Sequence, residues 1–362
     1  MILQEISRLR MLNQQIEGSV STTPKELVSS MGAMQAQDFA MAKWAIGLRI
    51  PESTQLSIEA AYNAGEIIRT HLMRPTWHFV SSDDIYWMLE LTAPQIRKVM
   101  KTNDKRFELT DLVYAKTNSI LEKVLSNECN MTREELVQEF ENVHIRTDEN
   151  RLSHILIRAE LDGVVCSGPI RKNKLTYALL ADRVPLKKTG TREEALVTLA
   201  GRYFSSHGPA TLRDFVWWSG LGITDARKAL EMSKSGFQSV TIDTDTYWFS
   251  EPVNNARPVT PSVHLLPAYD EYLISYANRS AALAGVNNKK IISVNGIFRP
   301  VIVVNGQVEG LWRRTTIKNL VKIETSHFLL HDPKTMQGIK KEATRFGTFL
   351  DKSIELIIQE IS

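Results

Sequence analysis

Hydrophobic positions along the chain change period repeatedly, which predicts short helices followed by pairs of strands. The clearest example starts at TREELVQEF, where Thr132 and Glu135 have the spacing of a capping box. The next segment, RLSHILIRAELDG, predicts a helix that ends at Gly163. Its apolar face is formed by Leu152, Ile155, Leu156 and Ala159. The runs VVCSGP and LTYALL, joined by IRKNK, then predict a hairpin. Helices followed by a hairpin are the plan of a winged-helix module.

Two further stretches repeat this order of elements. Thr211 precedes LRDFVWWSGL as a helix cap, Gly220 and Gly222 supply a turn before TDARKALEMS, and SVTIDTDTYWFS adds a hairpin. A helix, a glycine-containing turn and a second helix are typical of a helix-turn-helix. At the N-terminus, TPKELVSSMGAM and SIEAAYNAGEIIRT predict helices with a glutamine-rich helical segment between them, and RPTWHFV completes a pair of strands.

The last third of the chain reads differently, as β-branched runs with turn signals. Asn295-Gly296 and Asn305-Gly306 each predict a hairpin. We expect a small barrel-like domain here, closed by an amphipathic helix over KSIELIIQEIS. The predicted fold is therefore α+β, with three tandem winged-helix modules at residues 1–125, 126–192 and 193–260 and a β-barrel-like domain at 261–362.

Charge is distributed unevenly, although the net charge is only +3. Residues 1–150 hold 16 basic and 21 acidic side chains, residues 151–236 hold 14 and 8, and residues 260–362 hold 13 and 9. Attraction to phosphate is local, so the middle and C-terminal parts could bind nucleic acid despite the low total. A solvated basic face remains the alternative.

Several classes of protein are excluded by what the sequence lacks. Its two cysteines, Cys129 and Cys166, cannot form a disulfide framework or a CxxC site, which favours a reducing cytoplasm. No secretory signal and no apolar run of about 18 residues is present, so we expect no membrane partner. The histidines show no HExxH spacing, and there is no phosphate-binding glycine loop, so neither a metal nor a cofactor is expected.

The segment MGAMQAQDFAMAKWAIGLR contains two glutamines around one alanine, Gln35 and Gln37. On a helix the two side chains would diverge, whereas on an extended chain they would point the same way. A shared function therefore requires a non-helical or kinked backbone at this point. Otherwise the two residues are surface amides near the end of a helix.

Six segments in sequence order carry a family resemblance: MGAMQAQD, RTHLMRPTWHFV, LSHILIRAELDGVVCSGP with TYALLADRVP, GPATLRDFVWWSGL, LLPAYDEYLISY and NGIFRPVIVVNGQVEGLWRR. Over about residues 5 to 350 the chain resembles the AlkZ/YcaQ-like winged-helix DNA glycosylase family. The resemblance implies tandem winged helices with a β-barrel, excision of N7-alkylated purines and unhooking of interstrand crosslinks. It maps the family's catalytic motif onto Gln35, Ala36 and Gln37, the two-glutamine version of that motif.

Glutamines can suffice for such a reaction because an N7-alkylguanine is already cationic and leaves without a proton. Amide oxygens can accept a hydrogen bond from the attacking water and stabilise the oxocarbenium-like sugar. We therefore expect a monofunctional glycosylase that excises cationic lesions and fails on neutral bases. Asp38 could assist as a base, or could cap the helix that follows it.

The expected partner is double-stranded DNA with alkylated or crosslinked purines, bound by a monomer in the cytoplasm, at the nucleoid if the source is bacterial. The candidate DNA contacts are Arg69, Arg74, His78, Arg171, Lys172, Lys174, Arg299, Arg313 and Arg314. For Arg69, Arg74 and His78 the alternative is a surface or interdomain hydrogen bond.

Two other features are left with an open role. At least one of Trp217 and Trp218 should be buried. Asp270, Glu271 and Tyr272 recur in the family and suggest an interdomain or active-site-wall position. The alternative function is a non-catalytic DNA-binding regulator that reads sequence with its winged modules.

Overall fold

The computed structural model describes residues 3–148, 150–251 and 261–359 of the chain. Its α-helices are α1 Leu3–Asn13, α2 Pro24–Met31, α3 Phe39–Gly47, α4 Gln55–Asn63, α5 Ile85–Arg106, α6 Asp111–Val124, α7 Arg133–Asn142, α8 Arg151–Leu161, α9 Leu180–Arg183, α10 Arg192–Ser206, α11 Leu212–Ser219, α12 Ile223–Ser233, α13 Glu271–Ile274, α14 Asn288–Ile291 and α15 Pro333–Leu350. Its strands are β1 Met34–Gln35, β2 Ile67–Leu72, β3 Thr76–Ser81, β4 Met131–Thr132, β5 Val165–Arg171, β6 Lys174–Leu179, β7 Gln238–Ile242, β8 Asp245–Phe249, β9 Val263–Leu266, β10 Val301–Val304, β11 Gln307–Ile317, β12 Leu320–His327 and β13 Ser353–Gln359.

Three small antiparallel sheets follow groups of helices, in the strand orders β1-β3-β2, β4-β6-β5 and β7-β8. The capping box before α7 is confirmed, since Thr132 and Glu135 each accept the other's backbone N–H. The predicted apolar face of α8 is buried, and Gly163 follows that helix in the left-handed region. Thr211 caps α11 as expected. Local capping and patterning therefore fix these elements.

The C-terminal sheet is open within the described residues, in the order β13-β12-β11-β10-β9 with β9 and β13 at its edges. These residues therefore form no closed barrel, and the barrel-like form expected for this domain is not confirmed. Asn305-Gly306 does form the predicted hairpin between β10 and β11, with φ of 48° and 79°. Asn295-Gly296 closes only a single bridge, between Ile292 and Phe298, because the residues before it form the short helix α14.

The predicted C-terminal amphipathic helix is wrong. Residues Ser353–Gln359 of that segment form β13, which runs parallel to β12. β-branched side chains at Ile354, Ile357 and Ile358 favour a strand over a helix. The helix of this region is α15, whose C-terminus turns through Asp351 in the left-handed conformation and returns the chain to the sheet edge. Residues 360–362 lie outside the described part.

The N-terminal helices and the C-terminal sheet share one hydrophobic core. The Trp44 ring of α3 lies 5.1 Å from the rings of both Phe346 and Phe349 in α15, and its Nε1 donates to the Leu265 carbonyl at 2.8 Å. This packing fixes the loop before α3, which carries the two glutamines, against the C-terminal part of the chain.

Within the described ranges, no helix is long and apolar enough to cross a membrane. The same ranges contain no group of three or more histidine, cysteine or acidic side chains that could hold a metal ion. Cys129 and Cys166 are both free thiols.

Candidate active site

The segment that carries both glutamines is non-helical, as a shared function requires, with Gln35 in a strand and Gln37 in the bend that follows it. Gln35 lies in β1 opposite His78 of β3. The Ala36 N–H donates to the Trp77 carbonyl at 2.8 Å, which continues the pairing beyond β1. Helix α3 begins only after this segment, so the two amides belong to a strand end and not to a helix face.

The two glutamine side chains differ in exposure. Gln35 is buried, and its Oε1 accepts from the Ala36 N–H at 3.0 Å. Among the described residues its Nε2 has no hydrogen-bond partner. Gln37 is exposed, and its Oε1 lies 3.5 Å from the Trp77 N–H, the limit of a hydrogen bond. The accessible amide oxygen of the pair therefore belongs to Gln37.

The buried carboxylate of Glu271 binds the backbone N–H of Gln35. Its Oε1 accepts the Gln35 backbone N–H at 2.5 Å, while its Oε2 accepts from Trp218 Nε1 at 3.2 Å and from the Ser275 hydroxyl. Glu271 comes from the start of α13, far from Gln35 in sequence. The backbone position of Gln35 thus depends on a side chain of the C-terminal region.

Glu271 is ionised in spite of its burial. Burial alone would raise the pKa of this carboxyl, but His207, Ser275 and the Gln35 N–H lower that pKa to about 2. His207 Nε2 is 3.4 Å from the carboxylate, and burial lowers the pKa of the imidazole. We therefore assign an anionic Glu271 beside a neutral His207.

The neighbours of Glu271 tie the same segment to the rest of the core. Asp270 forms a buried two-bond ion pair with Arg49 near the end of α3, at 2.8 and 2.9 Å. The Tyr272 hydroxyl donates to the Gly306 carbonyl at 2.6 Å. The suspected role of these three residues is now specific: one contacts the glutamine segment and two anchor the chain that presents it.

Asp38 caps α3, since its side chain accepts the Met41 N–H at 3.0 Å. Of the two roles open to it, the capping role is confirmed. Trp218 is fully buried and Trp217 is 42% exposed, so the expectation that at least one is buried is also confirmed.

Arg69 and His78 are both in contact with the segment that carries the two glutamines. Arg69 is buried, donates from Nε to the Ala36 carbonyl at 2.9 Å, and packs 4.0 Å from the Trp77 ring. His78 is buried with Nδ1 2.9 Å from the Thr76 carbonyl, and burial lowers its pKa to about 3. Both side chains are therefore buried against the glutamine segment and are not exposed at the surface.

Known proteins were compared with this chain at the levels of family, sequence and structure. The family model described as DNA glycosylase AlkZ-like matches residues 28–349. This chain belongs to the AlkZ-like DNA glycosylase family. An interstrand DNA cross-link repair glycosylase of Streptomyces sahachiroi is 24% identical over 331 residues, which cover 85% of this chain and 87% of that protein. The structure of Streptomyces sahachiroi DNA glycosylase AlkZ superposes with a TM-score of 0.83 at 21% identity, covering 99% of both chains, and shows the same fold.

The hairpin β5–β6 of this glycosylase carries three candidate DNA contacts at its tip. Lys172 is exposed, at a turn where it and Asn173 both have positive φ. Arg171 pairs with Glu135, and Lys174 Nζ is 3.7 Å from Glu134. Two of the three cations are therefore partly neutralised by α7.

The remaining candidates separate by exposure. Arg299 and Arg313 are exposed, and Arg313 pairs with Glu324 on the neighbouring strand. Arg314, the next residue of β11, turns to the other face of the sheet, 5.9 Å from the Phe346 ring. Arg74 lies 5.6 Å from the Trp217 ring, and its Nε is buried without a partner in the described structure. The set predicted as one group thus includes both surface and packed arginines.

Sequence reasoning did not assign the contacts that shape the site. Recurrence in the family was the only signal for Glu271, and nothing local pointed to Arg49 or Ser275. Their partners are more than 200 residues away in the case of Gln35–Glu271 and Arg49–Asp270, a distance that periodicity cannot bridge.

Proposed function

We propose that this glycosylase hydrolyses the N-glycosidic bond of cationic N7-alkylpurines in double-stranded DNA, including those that form interstrand crosslinks. The observation that carries the proposal is the non-helical Gln35–Gln37 segment, in which Glu271 holds the Gln35 backbone N–H and the Gln37 side chain is exposed to solvent. The name of the Streptomyces relative, an interstrand cross-link repair glycosylase, supports the crosslinked substrate.

The chemistry needs no acid at the leaving group, because the alkylated base departs as a neutral molecule. What the protein supplies is a position for water and a dipole for the cationic sugar. We assign the water to the accessible Gln37 oxygen, which has only one long contact with the protein. Gln35 places its free Nε2 donor on the same segment, and its backbone is fixed by Glu271.

We further propose that the three groups of helices with small sheets act as winged helices along the duplex, in a monomer. Three exposed cations support this assignment: Lys172 at the β5–β6 tip, Arg299 just before β10, and Arg313 in β11. Contacts of this kind position the protein on phosphates without reading sequence.

The test uses purified protein and duplexes that carry one N7-methylguanine or a nitrogen-mustard crosslink, with base release and abasic sites as the readouts. We expect excision of the cationic lesion and none of a neutral base such as uracil. Gln37→Ala should lower the rate about a hundredfold, the size typical for removal of one positioned polar group.

Gln138→Ala is the matched control, because Gln138 is an exposed amide of α7 that bonds only to Glu141. Equal rates for the wild type, Gln35→Ala and Gln37→Ala would contradict the catalytic assignment. Selection of a palindromic sequence, with no preference for alkylated DNA, would point to a regulator instead.

A further inference from the structure

A cavity of about 420 Å³ opens beside the glutamine segment, between the first sheet and the β5–β6 hairpin. Its walls include Tyr62, Arg69, Trp77, Arg133, Ser167 and Tyr177. Arg69 connects the cavity to the candidate active site, because the same guanidinium donates to the Ala36 carbonyl at 2.9 Å and lies 3.4 Å from the Gln37 carbonyl.

The cavity walls present hydrogen-bond donors that lack acceptors. Tyr62 is 1% exposed, and its Oη has no hydrogen-bond partner among the described residues. Burial raises the pKa of Tyr62 to about 12, so this hydroxyl keeps its proton. The Ser167 Oγ accepts the Arg69 backbone N–H at 2.9 Å and also lies beside the Tyr62 hydroxyl, so a bond between the two hydroxyls uses only one of their protons and leaves the other free to donate. A buried donor without an acceptor is costly, and a ligand with several acceptor oxygens would remove that cost.

Charge also favours an anion in this cavity. Arg69, Arg133 and Lys174 line it, against the single carboxylate of Glu134, which lies 3.7 Å from Lys174. A second carboxylate, Glu160, is nearby but contacts the buried His71. The residues that line the cavity therefore carry a net positive charge, although Glu160 and Asp38 both interact with Arg69 from outside the lining. Arg69 and Arg133 carry guanidinium groups suited to phosphate oxygens.

The aromatic walls argue against a stacked base. The Trp77 ring already contacts the Arg69 guanidinium at 4.0 Å and the His71 ring at 4.1 Å. A base would have to displace one of these groups, whereas a phosphate needs only the free donors.

We propose that this cavity binds a backbone phosphate of the DNA strand next to the lesion, held by Tyr62, Arg69 and Arg133. Through Arg69 the bound phosphate would fix the Gln35–Gln37 segment against the strand to be cleaved. The inference rests on the proposed function, since it assigns the phosphate to the DNA on which the glycosylase acts.

The experiment separates binding from base release. A duplex with a tetrahydrofuran abasic analogue at the lesion position is titrated with protein, and fluorescence anisotropy gives the Kd. Single methylphosphonates, which are neutral, then replace each phosphate within five positions of the analogue. The proteins compared are the wild type, Tyr62→Phe and Arg133→Gln. Tyr86→Phe and Arg106→Gln serve as matched controls, since Tyr86 bonds to Val184 elsewhere and Arg106 is exposed at the end of α5.

We expect one or two methylphosphonates to weaken wild-type binding about tenfold, the effect of losing a hydrogen-bonded charge. The same methylphosphonates should change the Kd of Tyr62→Phe and Arg133→Gln little further, whereas both control variants should respond like the wild type. Non-additivity of this kind identifies a shared contact. Thermal unfolding checks that each variant is folded, and the wild-type scan remains decisive if one is not.

A uniform effect of every methylphosphonate on all five proteins would overturn the proposal. The proposal would also be overturned if no methylphosphonate changed the Kd of the wild type. It would likewise be overturned if the variants lost only a preference for a duplex with a base at the lesion position, because that result would indicate a base pocket. Base release is measured separately on N7-methylguanine. Specific phosphate coupling without base release would support the cavity and contradict the proposed function.

Discussion

At the residue level, Glu271 decides how Gln35 is presented. The carboxylate accepts from the Gln35 N–H, Trp218 and Ser275, and none of these donors has a better acceptor. Hydrogen bonds to a charged group stabilise more than neutral ones, and a buried donor left unpaired is costly. The same residue therefore contributes to stability and to the geometry of the candidate site.

Glu271→Gln should destabilise the protein by about 1.5–3 kcal/mol at pH 7, because two or three charge-assisted hydrogen bonds weaken. Urea unfolding at pH 7 measures this loss. Base release should also slow, while affinity for an abasic analogue changes little, since Glu271 acts through the position of Gln35. A variant with wild-type stability and rate would show that the carboxylate is not needed.

The effect of Glu271→Gln on stability should depend on pH. The pKa of Glu271 is lowered to about 2 in the folded protein from 4.5 in an unfolded chain. A lowered pKa gives stability that is fully present above 4.5 and is lost as the pH falls towards 2. The stability difference between wild type and Glu271→Gln should thus be lost as the pH falls below 4.5 towards 2, and a rise between pH 6.5 and 4.5 is expected from protonation of His207, whose pKa is lowered by burial and raised in part by Glu271. A difference that persists undiminished at pH 2 would contradict an anionic Glu271.

Asp38 allows its capping role to be separated from base catalysis. Asparagine caps a helix as well as aspartate but cannot accept a proton. Asp38 accepts the Met41 N–H, and Asn can accept the same bond. Asp38→Asn should therefore leave the free energy of unfolding unchanged and the rate of base release within about twofold of wild type, whereas Asp38→Ala should lose about 1 kcal/mol of stability. A large rate loss in Asp38→Asn, at unchanged stability, would restore the base assignment.

At the level of elements, the sequence predicts best where the cause is local. The boxes at Thr132 and Thr211 are set by residues three positions apart, and the Asn305-Gly306 turn by two residues that tolerate positive φ. KSIELIIQEIS carries no such signal. Its spacing suits a helix face or a strand, and pairing with β12, outside the segment, decides for the strand. The contact between Glu271 and Gln35 is unpredictable for the same reason.

Hydrogen exchange tests the β13 assignment directly. Among the strands of the described residues, β13 pairs with β12 alone, so alternate amides bond to β12 and the others face away. We expect alternating slow and fast exchange over residues 353–359, measured by NMR. Helix α15, with its consecutive internal hydrogen bonds, provides the control within the same sample. Uniform protection along residues 353–359 would favour a helix.

At the level of the whole molecule, the candidate site depends on packing between the two ends of the chain. Helix α3 follows the glutamine segment, contacts α15 through Trp44, and reaches Asp270 through Arg49. The residue after Asp270 is Glu271, which returns to Gln35. Loss of contact between α3 and α15 should therefore affect the site as well as stability.

Gly47 offers a test of this dependence, because α3 meets α15 there without space for a side chain. A Cβ at Gly47 would clash with the Phe349 ring, so Gly47→Ala should cost about 1–3 kcal/mol through overpacking. Gly201→Ala is the matched control, because among the described residues no atom outside the local backbone of α10 lies within 4 Å of its Cβ position. Alanine should stabilise that helix by up to about 1 kcal/mol.

Urea unfolding and base release are measured on both variants and on Gly47→Ala combined with Phe349→Leu. The smaller leucine should relieve the clash, so the double variant should be more stable than the sum of the two single losses implies. Base release should fall in Gly47→Ala, recover in part in the double variant, and stay at the wild-type rate in Gly201→Ala. Neither glycine touches the glutamines. A rate loss in Gly47→Ala that Phe349→Leu reverses would therefore show that base release depends on the contact between α3 and α15. Strictly additive losses of stability and rate would show that base release does not depend on that contact.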